Sequence, residues 1–90
     1  MKLKEGFILR KVANTDVVIP VGNNIANFNG IITLNETAAF LWNLLKQGVE
    51  LPAMVEAIVA EFEVSKETAQ VDVEEFTKQL QEADMLEEIA

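Results

Sequence analysis

The chain has 90 residues, half of them hydrophobic, and no cysteine, histidine or tyrosine. That length makes one small domain, residues 1–90, with a modest core, and the missing cysteine excludes disulfides and thiolate chemistry. The net charge of −8 is lopsided, with four Lys/Arg against three Asp/Glu in residues 1–45 and three against twelve in residues 46–90. An acidic half repels phosphate and anionic lipid and suits a basic peptide or a protein partner; it also serves simply as a solvated face that keeps the domain soluble.

The opening MKLKEGF has no apolar core segment of the kind a secretory signal needs. No apolar run approaches the roughly 20 residues that span a bilayer, so a cytoplasmic location without membrane contact is expected. Residues 1–6 read as a frayed lead-in, or as a tail ordered by a partner. Residues 7–13, FILRKVA, form a first strand, Asn14-Thr15 a turn, and residues 16–21, DVVIPV, a second strand. Pro20 has no N–H for a ladder and belongs at a strand end or open edge. A loop and a short extended piece, residues 25–28, lead to Asn29-Gly30, a hairpin signal because both residues accept positive φ. Residues 31–34, IITL, complete an antiparallel three-stranded sheet.

The rest is helical. Asn35 can cap a first helix through its side-chain oxygen, and Glu36 favours the positive end of the helix dipole. Ala38, Ala39, Phe40, Leu41, Trp42, Leu44 and Leu45 make that helix apolar almost all round, which places it in the middle of the fold with Trp42 in the core. Gly48 ends it. The second helix runs over residues 52–62, its apolar stripe of Leu51, Met54, Val55, Ile58, Val59 and Phe62 falling at i, i+3, i+4, i+7, i+8 and i+11. Ser65 caps a third helix over residues 66–83, on which Ala69, Val73, Phe76, Leu80 and Ala83 form the stripe while Val71, Asp72, Glu75 and Gln79 lie off it. Met85, Leu86 and Ile89 imply that the C-terminal segment folds back. The expected fold is α+β, winged helix-turn-helix-like, with an N-terminal antiparallel three-stranded sheet followed by three helices.

Catalysis is poorly supplied. Histidine is missing, no two carboxylates aim at one pocket, and Ser65, the only serine, is accounted for by capping. No metal site is expected, because His and Cys are absent and no Asp-rich calcium loop is present. Gly22 and Gly30 match no phosphate-cradling loop, so no cofactor is expected. Winged helices often bind DNA, yet the third helix carries Lys66 and Lys78 against Glu67, Asp72, Glu74, Glu75 and Glu82, and phosphate contacts need the opposite balance. A sheet edge that accepts an extended peptide as an extra strand suits the sequence better. An ordinary core strand with a protected edge fits the same periodicity.

The run FNGIITLNETAAFLWNLL, residues 28–45, resembles the PqqD-like family, in which a strand leads into a Leu-Asn-Glu-Thr-Ala turn and a Trp-bearing helix. Asp72, Phe76, Leu80 and Met85-Leu86 follow the family pattern downstream, so the likeness covers roughly residues 5–88. Many members carry Gly near the end of the third helix before paired leucines; here Ala83-Asp84-Met85-Leu86 stands instead. The resemblance implies a stand-alone recognition element for ribosomally made, post-translationally modified peptides (a RiPP recognition element). Such domains are not catalytic. They bind the leader of a precursor peptide and present it to a maturation enzyme, commonly a radical SAM protein. The leader is expected to add a strand beside the third strand and to lie against the third helix. On this chain Gly30, Ile31, Ile32 and Thr33 would then offer backbone bonds, and Val71, Asp72, Glu75, Phe76 and Gln79 would form the helix wall. Phe76 lies on the apolar stripe and reads first as core; Val71, apolar and off the stripe, is the better contact. The alternative is a winged-helix module for protein interaction or transcription regulation. A self-paired edge strand would give a homodimer that competes with the peptide.

Overall fold

The computed structural model of the protein describes residues 2–22 and 32–87. The expected extended piece at 25–28, the Asn29-Gly30 turn, Ile31 and Ile89 lie outside the described residues. The order of elements is β1 (Phe7–Val12), β2 (Thr15–Pro20), β3 (Ile32–Leu34), α1 (Glu36–Lys46), α2 (Leu51–Phe62) and α3 (Lys66–Glu82). The sheet is antiparallel in the order β1-β2-β3, which is the expected α+β architecture.

The β1–β2 turn falls one residue earlier than the sequence reading put it. Ala13 (φ 50°) and Asn14 (φ 68°) occupy the left-handed region, the geometry of a two-residue turn whose twist matches that of the strands. This register pairs Phe7 with Pro20 and Leu9 with Val18. One face of the sheet therefore carries Phe7 and Val18, both buried. A slip of one residue would turn that whole set outward. The turn also sets which way each amide points. The residues flanking a two-residue turn exchange both of their hydrogen bonds, and bonded pairs then recur at every second residue. Val21 N–H donates to Gly6 C=O at 2.8 Å, continuing this alternation beyond the strands. Thr15, Val17 and Ile19 thus direct their amides to β1, whereas Asp16 and Val18 direct theirs to β3.

Asn35 caps α1, its Oδ1 accepting the Ala38 N–H at 2.8 Å. Beyond the cap, Ala38, Ala39, Leu41, Trp42 and Leu45 are buried. Trp42 is 1% exposed and packs in one cluster with Val18 and Leu34 of the sheet, Met54 and Ile58 of α2, and Phe76 and Leu80 of α3. Phe40 meets Phe62 edge-to-face with ring centroids 5.4 Å apart, a geometry worth about 0.5–1.5 kcal/mol beyond its buried area. The helix ends are equally local in origin. Gly48 (φ 86°) follows α1, with Gly48 N–H bonded to Leu45 C=O and Val49 N–H to Leu44 C=O, the Schellman arrangement. Ser65 Oγ accepts the Thr68 N–H and caps α3. At the far end of α3, Asp84 N–H bonds Gln81 C=O and Met85 N–H bonds Leu80 C=O. This second Schellman motif places Asp84 at φ 57°, where glycine avoids the steric penalty of a Cβ.

Residues 2–4, expected to fray, are instead paired with the C-terminal segment. Leu3 is buried and forms an antiparallel bridge with Leu86. Lys4 N–H donates to Met85 C=O and Glu87 N–H to Lys2 C=O, each at 2.8 Å, and Lys4 Nζ meets Asp84 Oδ1 at 2.9 Å. The C-terminal fold-back occurs as expected, with Met85 buried, and it holds the N-terminal segment in place. Sequence periodicity does not report such a pairing, because it joins residues more than 80 positions apart.

Candidate functional site: the outer edge of β3 and the flank of α3

β3 pairs with β2 through Val18↔Ile32, Val17↔Thr33 and Asp16↔Leu34. The amides of Asp16 and Val18 face β3, so their partners Leu34 and Ile32 face back. Thr33 lies between them and directs its N–H and C=O off the outer side of the strand. No described strand pairs with that side. Of the four residues expected to offer backbone bonds, Gly30 and Ile31 lie outside the described residues. Ile32 has its amide turned into the sheet, because amides alternate along a strand. Thr33 is the described residue with its amide at the edge.

α3 runs alongside. Gln79 Nε2 lies 3.5 Å from the Thr33 carbonyl oxygen, a long contact that leaves the carbonyl open to a stronger donor. Between the start of α1 and α3 is a small hollow of about 90 Å³, lined by Asn35, Thr37 and Ala38 on one side and by Asp72, Glu75, Phe76 and Gln79 on the other. Asp72 and Gln79 are half-buried and Glu75 is exposed. Phe76 is 3% exposed and belongs to the core cluster, so it forms the floor of the hollow.

Val71 is placed differently from the reading that favoured it. It is 51% exposed and does not line the hollow. At 100° per residue it stands opposite the buried stripe of Ala69, Val73, Phe76 and Leu80, on the solvent pole of the helix. Position off the apolar stripe excluded it from the core without assigning it to the cleft. In the sequence Asn35 signals a cap, Ala38 an apolar helix face and Thr37 part of the Leu-Asn-Glu-Thr-Ala motif, and none of them signals a wall of the hollow. The sign available was that a strand running straight into a helix must bring the helix's first turn beside the strand's end. Among the described residues no group of His, Cys, Asp or Glu is arranged to hold a metal ion, and no helix is long and apolar enough to cross a membrane.

The fold and the site define a small α+β domain of winged-helix form, with a strand edge open beside a helix. The chain belongs to the PqqD family, whose profile, described as coenzyme PQQ synthesis protein D, matches residues 16–86. Two solved structures share the fold. One is described as "TbiB1 in Complex with the TbiA(beta) Leader Peptide", with a TM-score of 0.79, 23% identity, and coverage of 100% of this chain and 99% of that one. The other, "Lasso peptide synthetase B1 complexed with the leader peptide", has a TM-score of 0.76, 21% identity, and coverage of 97% and 96%. No curated protein matches the chain.

Proposed function

We propose that this domain recognises the leader of a precursor peptide without turning it over, and presents it to a peptide-modifying enzyme such as a radical SAM maturase. The leader adds a strand, antiparallel to β3, on the edge where Thr33 exposes its amide. Its side chains on the helix side enter the hollow against Asp72, Glu75, Phe76 and Gln79. Gly30 and Ile31 are the further residues expected to offer the leader backbone bonds, and Ile32 supports the edge by holding β3 to β2. The observation that carries the reading is the Thr33 amide, directed off the outer side of β3 beside the flank of α3. Membership of the PqqD family supports it, as do two similar folds each described with a leader peptide bound. Main-chain bonds supply affinity in such strand addition, and the pockets for alternate side chains supply specificity.

The winged-helix form does not favour DNA, since α3 carries two lysines against five carboxylates. Precursor peptides of this kind are made by ribosomes, so the domain works in the cytoplasm. Two copies pairing through β3 would form a dimer competing with the peptide for the same edge.

The test is a backbone amide NMR titration of the whole chain with the leader half of a small peptide encoded beside its gene. Saturable shifts at Thr33 and at Asp72, Glu75, Phe76 and Gln79 are expected. Shifts confined to other faces would overturn strand addition at this edge.

A further inference from the structure

α3 has two flanks, and the reading above uses one. The other faces α2 across a cleft of about 320 Å³, at the small end of the roughly 300–1,000 Å³ typical of ligand pockets. Its floor is apolar, made by the buried Val55 of α2 and Val73 of α3, with Leu51 and Pro52 of α2 exposed at its edge. Leu51 is 36% exposed at the cleft's mouth, one of only three large hydrophobic side chains so exposed among the described residues. Glu56, Gln70, Glu74 and Lys66 make the rim. The single cation there is already engaged, Lys66 Nζ lying 3.9 Å from Glu56 Oε1, and Glu50 and Glu67 stand next in sequence to Leu51 and Lys66. The cleft therefore sets an aliphatic lining beside Glu56 and Glu74, against a single lysine.

We propose that this α2–α3 cleft docks a cationic amphipathic segment of a second protein, one that places aliphatic side chains on the apolar lining and Lys or Arg against Glu74. Charge complementarity selects the occupant, because residues 46–90 carry twelve carboxylates against three lysines and a second copy of this acidic half would be repelled. A leader lying in the hollow by β3 cannot reach the cleft, because α3 itself stands between the two. The residues that face the cleft from α3 (Lys66, Gln70, Val73, Glu74) share none with those that line the hollow (Asp72, Glu75, Phe76, Gln79). Both sites accept ligand at once. Taken with the proposed function, on which this consequence rests, α3 is the wall that holds leader and enzyme to the same small domain.

The experiment uses the full chain and a short helical peptide of Leu and Lys with an amphipathic pattern, with the same peptide carrying Glu in place of Lys as control. Amide shifts are expected at Leu51, Val55, Gln70, Val73 and Glu74, and none with the Glu peptide. Gln70→Trp, which puts an indole over the cleft from an exposed position, should abolish binding of the Lys peptide. Glu74→Lys should weaken it by about tenfold at low salt and less at high salt. Shifts centred on Thr33 and Gln79, shifts scattered over all acidic helix faces, or unchanged affinity in Gln70→Trp would overturn the inference. So would a dimer in sedimentation that Gln70→Trp disperses, since the occupant would then be a second copy. A parallel titration with the leader separates the two readings. Leader binding that is unchanged in Gln70→Trp leaves the function standing whatever the cleft does, and a leader that fails to bind wild type removes the function without touching the cleft.

Discussion

Thr33→Pro and Ile32→Pro make a matched pair, because neighbouring amides of β3 point in opposite directions. At Thr33 the lost N–H is the one directed off the sheet, and edge positions tolerate proline. At Ile32 the lost N–H is the one facing Val18. A backbone hydrogen bond contributes about 0.5–1.5 kcal/mol net, so Thr33→Pro should weaken leader binding by about 2- to 13-fold. The ring's Cδ, standing where the amide hydrogen was, adds to that by obstructing an incoming strand. Fold stability should change little. Ile32→Pro leaves a ladder acceptor in β2 unsatisfied, which costs about 1–3 kcal/mol of stability, and it affects binding only through the fold. Fluorescence anisotropy with a labelled leader gives the affinities, and urea unfolding gives the stabilities. A folded Thr33→Pro that binds as tightly as wild type would refute strand addition at β3. A stable Ile32→Pro that has lost binding would instead refute Thr33 as the outward amide, because the alternation along β3 would then be reversed.

Three further outcomes follow from the same geometry. Asp72→Lys with Glu75→Lys should weaken and slow the association of a leader rich in Lys or Arg, with the difference shrinking as salt rises; stopped-flow association at low and high ionic strength reads this. Glu63, exposed and left-handed at φ 53° after α2, should gain about 0.5–1 kcal/mol on replacement by Gly. Calorimetry should therefore show a Tm several degrees higher. Leu3→Asp would place a charge at the buried bridge to Leu86. It should speed hydrogen exchange of the Lys4 and Glu87 amides while leaving that of α1 nearly unchanged until the whole domain unfolds.

What the sequence determined by itself was local. Periods of 2 and 3.6 residues specify strands and helices. Asn35 and Ser65 begin helices because their side-chain oxygens meet amides within one turn, and Gly48 ends one because it lacks a Cβ. The motif at residues 28–45 placed the chain in its family, with strand addition as the expected mode. The tertiary structure decided three things that no window of sequence contains. Hairpin register, set by the left-handed pair Ala13-Asn14, determines that Thr33 and not Ile32 turns its amide outward. Helix rotation against α1 and α2 brings Asp72 and Gln79 to the hollow and leaves Val71 on the solvent pole, although all three lie off the apolar stripe. Chain ends far apart in sequence meet at Leu3 and Leu86, turning an expected frayed tail into part of the core. In each case the cause is packing between elements: periodicity says which face of an element is buried, and only the neighbour it packs against says what stands beside the rest.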